Sequence, residues 1–114
     1  MLEISLEFRK GLLFVRFFGS LTKITVHQLE EEVTQVIEEH GIREVVFNME
    51  DLVELDLKGI HGLFHSYEVC SKNHGKIFVC GLRNRTVKER MGKSRLLHYL
   101  LETKDELSTF SYTE

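Results

Sequence analysis

His61 and His65 stand four residues apart, a spacing that aligns two imidazoles on one helix face, where they can bind zinc or another divalent metal. No Glu follows His61, so the His-Glu-x-x-His arrangement of zinc proteases is absent. Glu68 and Lys72 continue the same stripe, which reads as a polar, solvent-facing surface. A third ligand from Glu54 or Asp56 has no support in the pattern. Those two carboxylates are close in sequence, but such pairs are common in loops and do not define an acid–base couple. Cys70 and Cys80 lack the Cys-x-x-Cys spacing and lie beside apolar residues, as reduced core thiols do. No Gly-x-Ser-x-Gly elbow, P-loop or Gly-x-Gly-x-x-Gly occurs. The residues argue against an enzyme. No catalytic residue, metal ligand or cofactor is assigned.

Charge offers a different chemistry. Net charge is −3, yet Gln28 to Asp56 holds ten acidic residues and one basic residue, Arg43, while Arg83 to Arg95 holds six basic residues and one acid, Glu89. Either run alone is an ordinary solvated face; together they can steer a charged partner. The basic run has no interleaved aromatic residues, so a protein or nucleotide partner fits it better than nucleic acid.

The elements that must carry these residues follow from periodicity. Leu2, Ile4, Leu6 and Phe8 alternate with polar residues, as in a half-buried strand. Lys10-Gly11 makes a turn into a second strand, Leu12 to Phe18, closed by Gly19-Ser20. Thr22 or Thr25 caps a helix to about His40, with Val26, Leu29, Val33, Val36 and Ile37 as its apolar stripe and Gly41 as its stop. Val45 to Asn48 is a third strand, and the acidic stretch after it reads as a loop. Asp56 opens a second helix with Ile60, Leu63, Phe64, Tyr67 and Cys70 inward, ended by Asn73-His74-Gly75. Ile77 to Cys80 is a fourth strand. Thr86 caps a short basic helix to about Met91. Leu96 to Leu101 reads as a fifth strand or a helix end running into one. Lys104 to Phe110 is a short final helix.

This order predicts one α/β domain over residues 1–114, with a mixed sheet of about five strands opening on an N-terminal hairpin and about four helices. The 114 residues suit one core, and 42% hydrophobic with 29% charged residues is ordinary for a globular protein. The longest apolar run is interrupted by Arg16, too short for a membrane span, and the first residues do not read as a signal peptide. A cytoplasmic protein with no membrane partner is expected.

The strand–loop–helix from Val45 to Ile60 resembles the signature of the STAS domain family, the bacterial anti-sigma factor antagonists. Gly19-Ser20-Leu21-Thr22 resembles that family's Gly-Glu-Leu-Asp turn, and Thr34-Gln35-Val36-Ile37, Gly41-Ile42-Arg43 and Val79-Cys80 resemble its sporulation-type members. In the family, the loop reads Asp-Ser-Ser-Gly or Asp-Ser-Xaa-Gly. Its first Ser is phosphorylated by a partner anti-sigma kinase, which releases the antagonist. Here Asp56 and Gly59 keep the frame, but Leu57 stands at the Ser position and Lys58 follows. Neither side chain has a hydroxyl to accept phosphate. Ser66, Ser71 and Thr22 do not occupy the acceptor position. Thr22 also departs from an acid common in the family, and Arg90 and Lys93 replace apolar residues of its third helix.

The resemblance implies a regulatory module that binds an anti-sigma factor or related kinase-fold protein and frees a sigma factor, with no phosphorylation switch at the usual position. Thr22, Asp56, Leu57, Lys58, Gly59 and Ile60 form the expected partner-binding set. Leu57 would supply an apolar contact and Lys58 a positive one. The alternative is a nucleotide- or small-molecule-sensing module, with weak nucleotide binding at Lys58, or a scaffold; a metal-dependent enzyme built on His61 and His65 is a more distant reading.

Overall fold

The computed structural model describes residues 1–112. Alternation builds the opening hairpin: β1 (Leu2–Arg9) turns at Lys10-Gly11 into β2 (Leu12–Leu21), antiparallel, with Leu6 opposite Val15. A helical segment follows as α1 (Val26–Leu29), a π-helical turn (Glu30–Thr34) and α2 (Gln35–His40), stopped by Gly41 in the left-handed conformation at φ 58°. Then come β3 (Glu44–Leu55), α3 (Leu57–Lys72), β4 (Lys76–Cys80), α4 (Arg85–Lys93), a 3-10 turn (Leu96–His98), β5 (Leu101–Glu102) and α5 (Glu106–Thr109) with a last 3-10 turn, Phe110–Tyr112. The sheet runs β1-β2-β3-β4-β5, and every pair after the hairpin is parallel. The mixed sheet of five strands is the expected architecture.

The core lies between one sheet face and helices α1 to α4. Val15, Phe17, Val45, Phe47, Ile77 and Val79 from the strands meet Leu29, Ile37, Leu63, Val87 and Met91 from the helices, all at most 1% exposed. The other face carries a smaller cluster of Leu12, Phe14, Val46, Phe78 and Cys80, on which Phe110 packs. The C-terminal segment is held there by a charged clamp. Arg16 donates from Nε and Nη2 to the two Glu106 carboxylate oxygens at 2.8 and 2.7 Å, and Asn48 Nδ2 donates to Glu106 at 2.7 Å. The bidentate Arg16 pairing holds the Glu106 carboxyl below its usual value, against partial burial.

A carboxyl depressed in the fold stabilises above its unfolded pKa, and that stabilisation is lost as pH falls through the folded value. Glu106→Gln should therefore cost about 1 kcal/mol at pH 7, after allowance for solvent screening. The difference from wild type should begin to shrink as pH drops below the ordinary glutamate value of 4.5 and vanish only below the lower folded value. Urea unfolding at pH 7 and pH 3 measures it.

Four local expectations give way. The acidic stretch after Asn48 is not a loop: β3 continues to Leu55 because Met49, Leu52 and Leu55 are buried, and bulged register shifts against β2 let this threefold spacing replace strict alternation. In step with it, β2 runs past Gly19-Ser20 to Leu21. Thr25 holds the N-cap position of α1 but does not cap it; its hydroxyl accepts from Thr22 N–H at 2.9 Å and donates to Ser20 C=O at 2.7 Å. Asn84, not Thr86, caps α4, accepting from Val87 N–H at 3.1 Å. Of the two readings of Leu96 to Leu101, the helical end running into a strand holds: the 3-10 turn covers Leu96–His98 and β5 covers Leu101–Glu102.

The inward helix faces also shift. The π turn delays the helical phase, so buried Thr34 joins Val33 while Val36 is half-buried. Thr34 and Ser66 hydroxyls meet at 2.7 Å inside the structure. Ser66 and Val69 are buried on α3, while Phe64 and Tyr67 are half-buried and pack on the Tyr99 ring, centroids 5.7 and 5.4 Å away.

Candidate functional site

The end of the sheet where β2 and β3 stop holds the expected partner-binding residues. Asp56 leaves β3 in an extended conformation and caps α3. Its carboxylate accepts from Gly59 N–H at 2.8 Å and from Lys23 N–H at 3.0 Å, and so ties the α3 start to the β2–α1 turn. Partial burial raises the Asp56 pKa, but the N–H groups of Gly59, Lys23 and Lys58 with the Lys23 charge outweigh it, leaving the group below its ordinary value. Those N–H groups are the ones an anionic ligand at this helix start would need. Asp56 already takes the Gly59 one, so an anion held by Lys58 would compete with this carboxylate.

Exposure divides the six expected residues. Leu57 is 61% exposed on the first turn of α3, and Lys58 is exposed beside it. Thr22 and Asp56 are half-buried. Gly59 and Ile60 are buried, so they shape the surface more than they face solvent. A Cβ on Gly59 would lie 2.4 Å from the Leu21 carbonyl oxygen, and one on Gly62 would lie 2.5 Å from Val26 Cγ2. The missing side chains let α3 seat directly on the end of β2 and on α1.

Two shallow depressions flank Asp56 and Leu57. One, of about 350 Å³, is lined by Thr22, Ile24, Glu54 and Asp56. The other, of about 260 Å³, is lined by Leu57, Ile60, Arg90, Lys93 and Ser94. The tip thus combines an apolar projection, Leu57, with cations Lys58, Arg90 and Lys93. Ile24, 73% exposed, adds apolar surface on the other side. Sequence reasoning singled out Arg90 and Lys93 as unusual but did not bring them beside Leu57, and it missed Ile24 and Ser94. Only the folded structure, which seats α4 on β3 and brings its end to the depression at the start of α3, reveals that juxtaposition.

The STAS domain family model matches residues 3–109. The chain belongs to the STAS domain family. A curated anti-sigma F factor antagonist from Paenibacillus polymyxa is 24% identical over 79 residues, 69% of this chain and 68% of that protein. The fold is shared with an anti-sigma factor antagonist from Mycobacterium paratuberculosis, at TM-score 0.85 and 16% identity over 98% of this chain and 93% of that one. It is also shared with the Bacillus cell fate determinant SpoIIAA in its phosphorylated form, at TM-score 0.76 and 17% identity over 98% and 100% of the two chains.

The remaining chemistry-bearing residues lie elsewhere in the STAS fold. His65 Nδ1 sits 2.9 Å from a Glu30 carboxylate oxygen, linking α3 to the π turn, and His61 is exposed. Among the described residues, no three His, Cys, Asp or Glu side chains converge as a metal site. Cys70 and Cys80 are buried and free, their thiols pushed up by burial to about 11 and about 12. At neutral pH they are protonated and poor nucleophiles. Among the described residues no helix is long and apolar enough to cross a membrane.

Proposed function

We propose that this STAS domain is a protein-binding regulator, not an enzyme, that docks on an anti-sigma factor and frees the sigma factor it holds. The observation that carries the reading is Leu57: an apolar side chain left 61% exposed at the start of α3, beside Lys58, Arg90 and Lys93. An exposed leucine within a cationic rim fits an apolar recess with acidic surroundings on the partner, where burial supplies affinity and charge supplies selectivity. The P. polymyxa relative supports the choice of partner class.

Leu57 has no hydroxyl, so docking at this position is not released by phosphorylation there. The domain acts as an antagonist whose binding surface stays in one state. Lys58 next to it keeps positive charge where a phosphoserine would bring about two negative charges. Asp56 and Gly59 serve this surface indirectly, by fixing the angle at which α3 presents Leu57.

Affinity capture tests the proposal. Tagged protein incubated with lysate of its own cells should retain an anti-sigma factor of the kinase fold, identified by mass spectrometry. Addition of Mg-ATP should not release it. Absence of any anti-sigma factor from the retained proteins would contradict the reading.

A further inference from the structure

Strand β1 is one outer edge of the sheet; among the described residues, β2 is the one strand paired with it. Two hydrogen bonds reveal which of its backbone groups face outward. Met1 C=O accepts from Ser20 N–H on the β2 side, whereas Leu2 C=O accepts from the Gln28 side chain on α1. In an antiparallel strand the N–H and C=O of one residue point the same way, and the direction alternates along the chain. Ile4, Leu6 and Phe8 therefore offer their backbone groups to the edge. Their side chains lie on the helix face of the sheet, opposite Phe17, Val15 and Leu13 of β2. Leu6 is 40% and Phe8 62% exposed. Phe8 also borders a depression of about 380 Å³ formed with Leu13, Val36, His40 and Ile42. An uncovered apolar edge of this kind is a template for another strand.

We propose that β1 pairs antiparallel with β1 of a second copy of this chain, with the two-fold axis at Leu6. The strand is self-complementary about that residue: Leu6 meets Leu6, Ile4 meets Phe8, Ser5 meets Glu7, and Glu3 meets Arg9. Even residues face even residues, so Ile4, Leu6 and Phe8 exchange their free N–H and C=O groups. The neighbouring registers that keep this match are centred on Ser5 and on Glu7. The first sets Glu3 against Glu7 and the second sets Glu7 against Glu7. Like charges directly opposite are destabilising, so charge selects the Leu6 register. An isologous pair of this type closes on itself and does not propagate into a fibre. The two β1 strands run in opposite directions, so the tips of the two copies face opposite ways and remain accessible.

Sedimentation equilibrium of the full chain across a concentration series tests the pairing. Wild type should shift from monomer to dimer mass. Glu3→Arg and Arg9→Glu should each raise the dissociation constant by at least about tenfold, and the double exchange Glu3→Arg/Arg9→Glu should return it to within about threefold of wild type. Arg9 also lies over the Phe110 ring at 5.7 Å. The double exchange separates the two roles, since it restores pairing but not that contact. Mild oxidation gives a second readout. Leu6→Cys should crosslink to itself across the axis, whereas Ile4→Cys should not, because the two Ile4 positions lie about 13 Å apart in this register. The native cysteines are buried and do not compete. Wild type that stays monomeric at about 1 mM, a double exchange no better than the single variants, or equal crosslinking at both positions would overturn the proposal.

Discussion

Replacing Leu57 by Asp should lower affinity for the proposed anti-sigma factor partner by at least about 100-fold, or about 2.7 kcal/mol, and leave the fold as stable as before or slightly more so. The two halves of this result have separate causes. Leu57 is 61% exposed in the free protein, so removing it opens no cavity. An acid in the first turn of α3 meets the positive end of the helix dipole, which favours it by about 0.3–1 kcal/mol. In the complex the same residue faces desolvation. The leucine's burial, worth about 1.5–3 kcal/mol, is lost, and a carboxylate is carried into an apolar recess with acidic surroundings. Calorimetric titration with a thermal melt of the same sample measures both. Unchanged affinity would show that Leu57 does not face the partner.

Gly59→Ala destabilises the domain by about 2 kcal/mol, although alanine is the better helix former. Helix propensity alone predicts a gain of about 1 kcal/mol, so the sign of the result decides between the two effects. The new Cβ would fall 2.4 Å from the Leu21 carbonyl oxygen and 2.9 Å from Leu55 Cδ1. A side-chain end can turn aside, but the carbonyl belongs to β2 and accepts the Asp56 N–H at 3.3 Å. Relief requires α3 to lift off the strand, which loosens Asp56 and tilts Leu57. Urea unfolding should show the lower stability, and titration should show weaker docking in the same variant. A more stable Gly59→Ala protein would contradict the close seating of α3.

The parts of this fold that sequence reveals are those set by local rules. Alternation from Leu2 to Phe8 and the Lys10-Gly11 turn announce the hairpin, Gly41 announces the end of the first helical segment, and Asp56 announces α3. Where a tertiary contact overrides the local pattern, the reading fails. Glu50, Asp51 and Glu54 look like a loop, yet Met49, Leu52 and Leu55 anchor the same stretch as a bulged strand against β2. Ser66 has no place in the inward stripe read for α3, yet it is buried, with Thr34, 32 residues away, as its partner. The candidate site divides in the same way. Asp56, Leu57, Lys58 and Gly59 are contiguous and carry their spacing in the sequence. Arg90, Lys93 and Ser94 reach Leu57 because the fold seats α4 on β3 near the start of α3, which no local pattern encodes.

Docking through the Leu57 tip without phosphate control at that position is what distinguishes the proposed antagonist. Its most direct test is calorimetric titration of the purified anti-sigma factor with wild-type protein, at fixed nucleotide, before and after prolonged incubation of the pair with Mg-ATP. Micromolar or tighter binding, the same in both titrations and with no phosphate gained at the tip by mass spectrometry, is the predicted result. No binding, or binding lost after the incubation together with phosphate on the tip, would contradict it.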